Sequence, residues 1–276
     1  MKKILYLFIA LALIVGLNGC SGSPSQAASA SPSKTLTNEE FSQILIDGVA
    51  NSKGSGVDFY AKAFNTTLLD GKQVIQAWTD GKQAIQAWTD IANSDKGIMI
   101  ISDYKTSGDE YIHVKGTITG TATGQNAFGG ELSAPIIGSA TIEKASYIDA
   151  VSPTIKTVDV NKEIDQHGLI VKLQKIEIAK NETRLYFEVI NNSKGKASFY
   201  SFNSKLVQGD KQFEEAGNYD ADYKEIQNEL LPGIKSDGVI SFEPIDTSAG
   251  KLTVISEARS DDYMIDFTPY TFNAAW

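Results

Sequence analysis

The sequence predicts a mainly β protein: an antiparallel β-sandwich in its C-terminal half, preceded by a small α+β domain made of N-terminal helices and then an antiparallel sheet. Three observations predict it. From Leu169 onward, short runs of alternating apolar residues recur with turn-forming residues between them, as a sandwich requires. Before that, Thr37 and Glu40 make a capping box ahead of the apolar residues Phe41, Ile44 and Leu45, whereas Gly97–Ser102 and Tyr111–Thr123 carry strand patterns. Finally, the 276 residues contain one cysteine, Cys20, so no internal disulfide can form and folding rests on hydrophobic cores.

The N-terminus carries an address. Lys2 and Lys3 precede an apolar run of 12 residues, Ile4 to Val15, and small Gly19 stands directly before Cys20. A spanning helix needs roughly 18–20 apolar residues, and no second long apolar run follows, so an integral membrane protein is not expected. Leu17-Asn18-Gly19-Cys20 resembles the lipobox of bacterial lipoproteins, with Leu17, Gly19 and Cys20 matching and Asn18 departing from the usual small or aliphatic residue. The resemblance implies cleavage after residue 19, a thioether-linked diacylglycerol on Cys20, and a lipid-anchored protein on the extracytoplasmic face of a cell membrane. The alternative is ordinary secretion, with Cys20 lost or left as a spare thiol.

Losing residues 1–19 removes Lys2 and Lys3 but no acid, which leaves 23 bases against 34 acids, a formal charge of −11 over 257 residues. That acidity argues against nucleic acid and against a polybasic contact with anionic lipid. Ser21–Lys34 is rich in Ser and Ala, broken by Pro24 and Pro32 and almost uncharged. It cannot bury enough surface to fold, so residues 20–35 read as the anchor and a flexible tether with a reach of about 20 Å.

Residues 36–150 form the expected α+β domain. A helix starts after Thr37 and ends between Asn51 and Gly56, and a second helical stretch is expected over Val57–Leu69. Next comes a tandem decamer, residues 70–89: Asp70–Thr79 is repeated as Asp80–Thr89 with Val74 replaced by Ala84. A hairpin turning at Asp80-Gly81 would set Trp78 against Gln83, Ile75 against Gln86 and Gln76 against Ile85, a poor pairing. On a helix, Val74, Ile75, Trp78, Ile85 and Trp88 fall within a band of about 140°, so a helix is expected. Trp78 and Trp88 are candidates for an aromatic binding surface, against the plainer reading of a tolerated duplication packed on or bulging from the domain.

Gly97–Ser102 is expected as a buried strand, Lys105–Asp109 as a turn and Tyr111–Thr123 as a long strand with Ile112, Val114 and Ile118 on one face. Gln125–Gly130 reads as a loop, and Ile136–Ile148 as one or two strands with a break at Gly138. Gly116-Thr117-Ile118-Thr119-Gly120 and Ile142-Glu143-Lys144-Ala145, across some forty residues, resemble the last strands of an OB-type barrel. A nucleic-acid role for such a barrel would need basic and stacking residues that this stretch lacks.

Residues 151–276 form the expected sandwich. Leu169, Val171 and Leu173 alternate, and Ile176 and Ile178 continue in the opposite phase, which places a bulge near Gln174 or Lys175. Leu185, Phe187 and Val189 make the next buried face, and Asn191–Gly195 the following turn. With Ala197–Phe202, Ser204–Gln208, Gly238–Phe242, Leu252–Ile255 and Tyr263–Phe267, the count reaches about seven strands, that of an immunoglobulin-like sandwich. The strand and turn Phe187–Lys196, followed by Leu231-Pro232-Gly233 and the strand to Phe242, resemble the telokin-like immunoglobulin domain of unknown function found in lipoproteins of Gram-positive bacteria. The resemblance covers about 110 residues from Val160 onward. It implies a β-sandwich at the cell surface and transfers no catalytic residue.

Chemistry-bearing motifs are sparse. Ser31-Pro32-Ser33-Lys34 and Ser102-Asp103-Tyr104-Lys105 match S-x-x-K, but one lies in the tether, the other beside a turn, and the partner motifs are missing. Asp220, Asp222, Asp261 and Asp262 lack the spacing of a calcium loop and read as solvated acids. Two histidines, His113 and His167, in different domains make a multi-histidine zinc site improbable, so no metal and no cofactor is expected. Tyr200, Phe202, Phe213, Tyr219 and Tyr223 are candidates for lining a groove, although in a sandwich such aromatics mostly pack. The first functional expectation is a non-enzymatic module that binds a protein, peptide or cell-wall ligand. Its rivals are a cell-envelope hydrolase with a carboxylate pair in the first domain, about 5–9.5 Å apart, and a structural spacer.

Overall fold

The computed structural model describes residues 34–47, 52–69, 72–78, 97–106, 108–125 and 129–276. Strands dominate, and the chain divides into two compact units between Ser146 and Tyr147. The tether, Cys20, the second decamer copy and Trp88 lie outside the described residues.

In the first unit, α1 (Asn38–Asp47) begins at the expected capping box. The Thr37 amide donates to Glu40 Oε2 (3.0 Å) and the Glu40 amide to Thr37 Oγ1 (3.2 Å), so two of the amides left free at a helix start are satisfied reciprocally. Phe41 and Leu45 are buried, and Phe41 stacks on Phe59 at 4.8 Å between ring centroids.

Five strands follow: β1 (Gly56–Leu69), β2 (Lys72–Trp78), β3 (Gly97–Ser102), β4 (Glu110–Gln125) and β5 (Glu131–Lys144). They close into a barrel in the order β1-β2-β3-β5-β4, with β3 and β5 parallel and the other neighbours antiparallel. This is OB-type connectivity. The helix expected over Val57–Leu69 is a strand. Val57, Phe59, Ala61 and Ala63 are buried while Asp58, Tyr60 and Lys62 alternate with them, a period of two that the helix-tolerant alanines obscured.

Residues 72–78 of the first decamer copy are likewise a strand and not a helix. Leu69 pairs with Lys72 and the register runs to Lys62 opposite Trp78, while β2 also pairs with β3. At Gly138, where a break is expected, the strand continues through a bulge: Thr117 pairs with Gly138, the register shifts next to it, and Ser139 has φ 50°. A Cβ on Gly138 would lie 2.7 Å from Thr119 Cγ2, so a larger residue there would force the Thr119 side chain to shift.

The second unit opens with a short helix, α2 (Tyr147–Ala150), and continues as a two-layer antiparallel sandwich. One sheet holds β6 (Thr154–Gln166), β7 (Leu169–Ala179), β8 (Thr183–Asn191) and β12 (Lys235–Phe242), in the order β12-β8-β7-β6. The other holds β9 (Ala197–Gln208), β10 (Lys211–Glu214), β13 (Lys251–Ser260) and β14 (Tyr270–Ala275), in the order β10-β9-β13-β14, with the two-residue β11 (Glu229–Leu230) paired to β9.

Leu169, Val171, Leu173, Leu185, Phe187, Val189, Phe199 and Val254 are fully buried between the sheets. The phase change in β7 is resolved as expected, by a register shift between Leu173 and Lys175. Several strand assignments differ from expectation. Ala197–Phe202 and Ser204–Gln208, expected as two strands, are the single strand β9, and β10 is an additional strand. β6 is an edge strand whose residues are mostly polar and exposed, so it carries no apolar alternation to read. Tyr263–Phe267 is not a strand: Asp262 Oδ1 accepts the Met264 amide (2.9 Å) and Asp262 O the Ile265 amide (3.0 Å), which turns the chain and leaves Tyr263 and Met264 exposed. The last strand is Tyr270–Ala275.

The long connection from β10 to β11 positions the candidate site. It runs along the free side of β12, with the Ala216 amide on Ser241 O (2.8 Å), the Val239 amide on Lys224 O (2.9 Å) and the Gln227 amide on Ser236 Oγ (2.9 Å), and then crosses to β9 through the Phe199 amide on Asn228 O (2.8 Å). This segment, residues 215–228, therefore bridges the two sheets.

Candidate functional site

A buried ionic cluster holds the 215–228 segment in place. Arg184, on β8, is fully buried. It donates to Glu177 Oε2 (3.1 Å), Glu182 Oε1 (2.6 Å), Thr154 Oγ1 (2.6 Å) and Ser152 O (2.9 Å). Glu182 also accepts Tyr223 OH (2.5 Å), Asn218 Nδ2 (2.8 Å) and Ser241 Oγ (3.2 Å), so one carboxylate ties β8, β12 and the segment together. Glu177 accepts Tyr186 OH (2.8 Å) and is paired with Lys175, whose ammonium also sits 4.1 Å from the Tyr186 ring centroid.

Burial pushes both carboxyls up, but the opposing hydrogen bonds and charges prevail. Lys175, Tyr186 and Arg184 hold Glu177 below the usual carboxylate range, and Tyr223, Asn218 and Arg184 do the same for Glu182. Burial and the neighbouring Glu177 carboxylate push the Tyr186 phenol up to about 12. A general acid at neutral pH needs a carboxyl kept protonated. This pair is held ionised and saturated with donors, so its work is to clamp the fold.

Above the clamp, the segment and β12 enclose a cleft of about 330 Å³. Val239 supplies apolar wall beside Ile226 and Ile240, which are largely buried in the core, and Phe202, Tyr219 and Tyr223 supply rings. Phe202 is 55% and Tyr219 95% exposed, whereas Tyr223 is fixed by its bond to Glu182. Glu215, Asp222 and Glu225 line the same cleft. No hydrogen bond or ion pair engages any of these three carboxylates among the described residues, and burial pushes Glu215 above the usual carboxylate range. Among the described residues, no Lys, Arg or His lines the cleft. A second depression, about 320 Å³, lies across Gly217–Tyr219 and is bordered by Tyr147, Asn181, Asp220 and Glu243.

The sequence candidates are distributed unevenly around this site. Of the five aromatics singled out as groove residues, Phe202, Tyr219 and Tyr223 line the cleft; Phe213 packs against the core and Tyr200 leans on Phe202 at 5.6 Å. Asp220 and Asp222 border the two depressions, while Asp261 pairs with Lys196 (3.2 Å) and Asp262 caps its turn, so the four acids are not brought together. Among the described residues, no group of three His, Cys, Asp or Glu side chains is placed to hold a metal. Trp78 stands at the end of β2, opposite Lys62 and Gly97. In the barrel, His113 Nε2 lies 2.5 Å from Asp58 Oδ1 and its ring stacks on Tyr60 at 4.5 Å.

Sequence reasoning missed the Arg184 cluster. The available signal is that Arg184 is one of two arginines in a lysine-rich chain and lies within a strand, with Glu182 two residues before it. Arginine is the residue suited to buried, multiply bonded ion pairs.

No protein-family model matches the chain, and no match is found among curated proteins. Solved structures similar to parts of it include a functionally unknown protein from Listeria monocytogenes EGD-e, at 11% identity and TM-score 0.35, covering 45% of this chain and 86% of that one. Another is a conserved domain protein from Bacillus anthracis, at 10% identity and TM-score 0.31, covering 79% and 77% respectively.

Proposed function

We propose that this chain is a lipid-anchored extracytoplasmic protein whose sandwich unit is a non-enzymatic binding module, with the cleft beneath residues 215–228 as its ligand site. One observation carries the binding reading: the buried carboxylates of the second unit are saturated and ionised, whereas those of the cleft are unpaired and stand beside exposed aromatic rings. Protein surfaces that present unpaired polar groups and rings in a concavity are suited to complementary ligands. The anchoring reading is supported by Cys20, the sole cysteine, placed directly after a signal-like run and ahead of a polar tether.

Fractionation of expressing cells tests the anchor. The wild-type chain is expected in the membrane fraction as a mature-length species. Cys20→Ala is expected in the medium, or as an uncleaved precursor. A mature-length Cys20→Ala protein that still partitions into detergent would overturn the assignment.

A further inference from the structure

We infer that the cleft recognises a primary alkylammonium group, of the kind a lysine side chain presents. This rests on the cleft being the binding site and adds the chemical class of its ligand. Acidic side chains alone would amount to a solvated face. Here they share a concavity with two exposed rings and an apolar wall. An alkylammonium has an apolar stem for that wall, a cationic head for the ring faces and N–H donors for carboxylates that have none.

The charge sign decides against the alternatives. Three acids and no base line the cleft, so a carboxylate or phosphate ligand would be repelled there. The second depression, with Asp220 and Glu243 on its border and likewise no base, extends the same negative field along the segment. Glu215 lines the cleft with no cation beside it. Partial burial disfavours its ionised form, and an incoming ammonium would reverse that, so ligand binding should expel any proton that Glu215 holds. Tyr219 is placed to respond, because its ring lies over Gly217, where a Cβ would be 3.3 Å from the ring. It is 95% exposed and so is free to meet a ligand.

The test is a calorimetric and NMR titration of the full chain in detergent with Nα-acetyl-lysine methylamide, with the norleucine analogue as the control that keeps the four-carbon stem and lacks the ammonium. The lysine probe is expected to bind with a Kd on the order of 1 mM, the usual efficiency for a ligand of this size. Binding should weaken with added salt and perturb the Tyr219 and Phe202 signals, and the norleucine probe should not bind. Glu215→Gln and Asp222→Asn are each expected to weaken the lysine probe several-fold. Asn at position 222 keeps a residue that tolerates its φ of 48°, and unchanged thermal unfolding of each variant separates lost binding from lost folding.

Equal binding of the two probes, or lysine binding that survives both substitutions, overturns the inference. So does the absence of lysine binding. If a neutral N-acetylglucosamine oligomer binds instead and Phe202→Ala abolishes that binding, the cleft stands as a binding site and only the ammonium class falls. If neither the lysine probe nor the oligomer perturbs the cleft signals, both readings fall together.

Discussion

The acid limit of the sandwich is expected to follow the two carboxylates that Arg184 bridges. Glu177 and Glu182 are both held below 4.5, the ordinary value, so the folded state binds fewer protons than the unfolded chain. Their stabilisation is therefore present above about pH 4.5 and is lost as pH falls through the lower folded values. Glu215 has the opposite sign: its raised value favours the fold at low pH and stops doing so as it ionises. Unfolding free energy measured by denaturant at several pH values is expected to fall on acidification below about pH 4.5. Glu182→Gln should flatten that limb while lowering stability at neutral pH, because Arg184 loses a charged partner. An unchanged acid slope in the variant would show that Glu182 does not control it. Beyond the rare arginine beside Glu182, this cluster was not legible from the sequence, because its other members come from β6, β7, β12 and the 215–228 segment, and only the fold brings them together.

The 215–228 segment depends on one residue of β12 having no side chain. A Cβ on Gly238 would meet Lys224 O at 2.4 Å and the Ile226 amide nitrogen at 2.8 Å. Both are backbone atoms and cannot rotate away. Gly238→Ala is expected to push the segment off the strand, break the hydrogen bond from the Val239 amide to Lys224 O and destabilise the unit by about 1–3 kcal/mol. Chemical denaturation and faster amide exchange at Val239 check it. The elements around this one were unevenly readable. The capping box at Thr37, the bulge in β7 and the face Leu185–Val189 follow from local chemistry, and the structure has them where expected. β1 and β2 were misread because alanines weaken the strand signal in one, while the duplication in the other drew attention to pairing between copies. β6 was missed because an edge strand has little to bury. Phe202, Tyr219 and Tyr223 were visible as aromatics, but the acids that give the cleft its character looked like ordinary loop residues.

Each of the two units carries its own hydrophobic core, the barrel around Ile100, Ile112 and Val114 and the sandwich around Phe187, Phe199 and Val254. A fragment of residues 147–276 is therefore expected to fold alone and unfold in one cooperative transition, with native near-UV circular dichroism. A non-cooperative melt would show that it needs the preceding residues. The sandwich was anticipated because its alternation is clean. The barrel was anticipated only in its last strands, since closure depends on a parallel β3–β5 pairing that no local pattern encodes. The clamped segment has a further effect when many copies of this chain are crowded together. β12 is hydrogen-bonded on one side to β8, and its other side is occupied by residues 216–227. Without that cover it would be a bare strand rich in Val, Ile and Phe, open to the matching strand of another molecule. The buried Glu182 that holds Tyr223 and Asn218 in place thus also keeps this strand edge covered, and release of the segment by acid would expose it to edge-to-edge pairing.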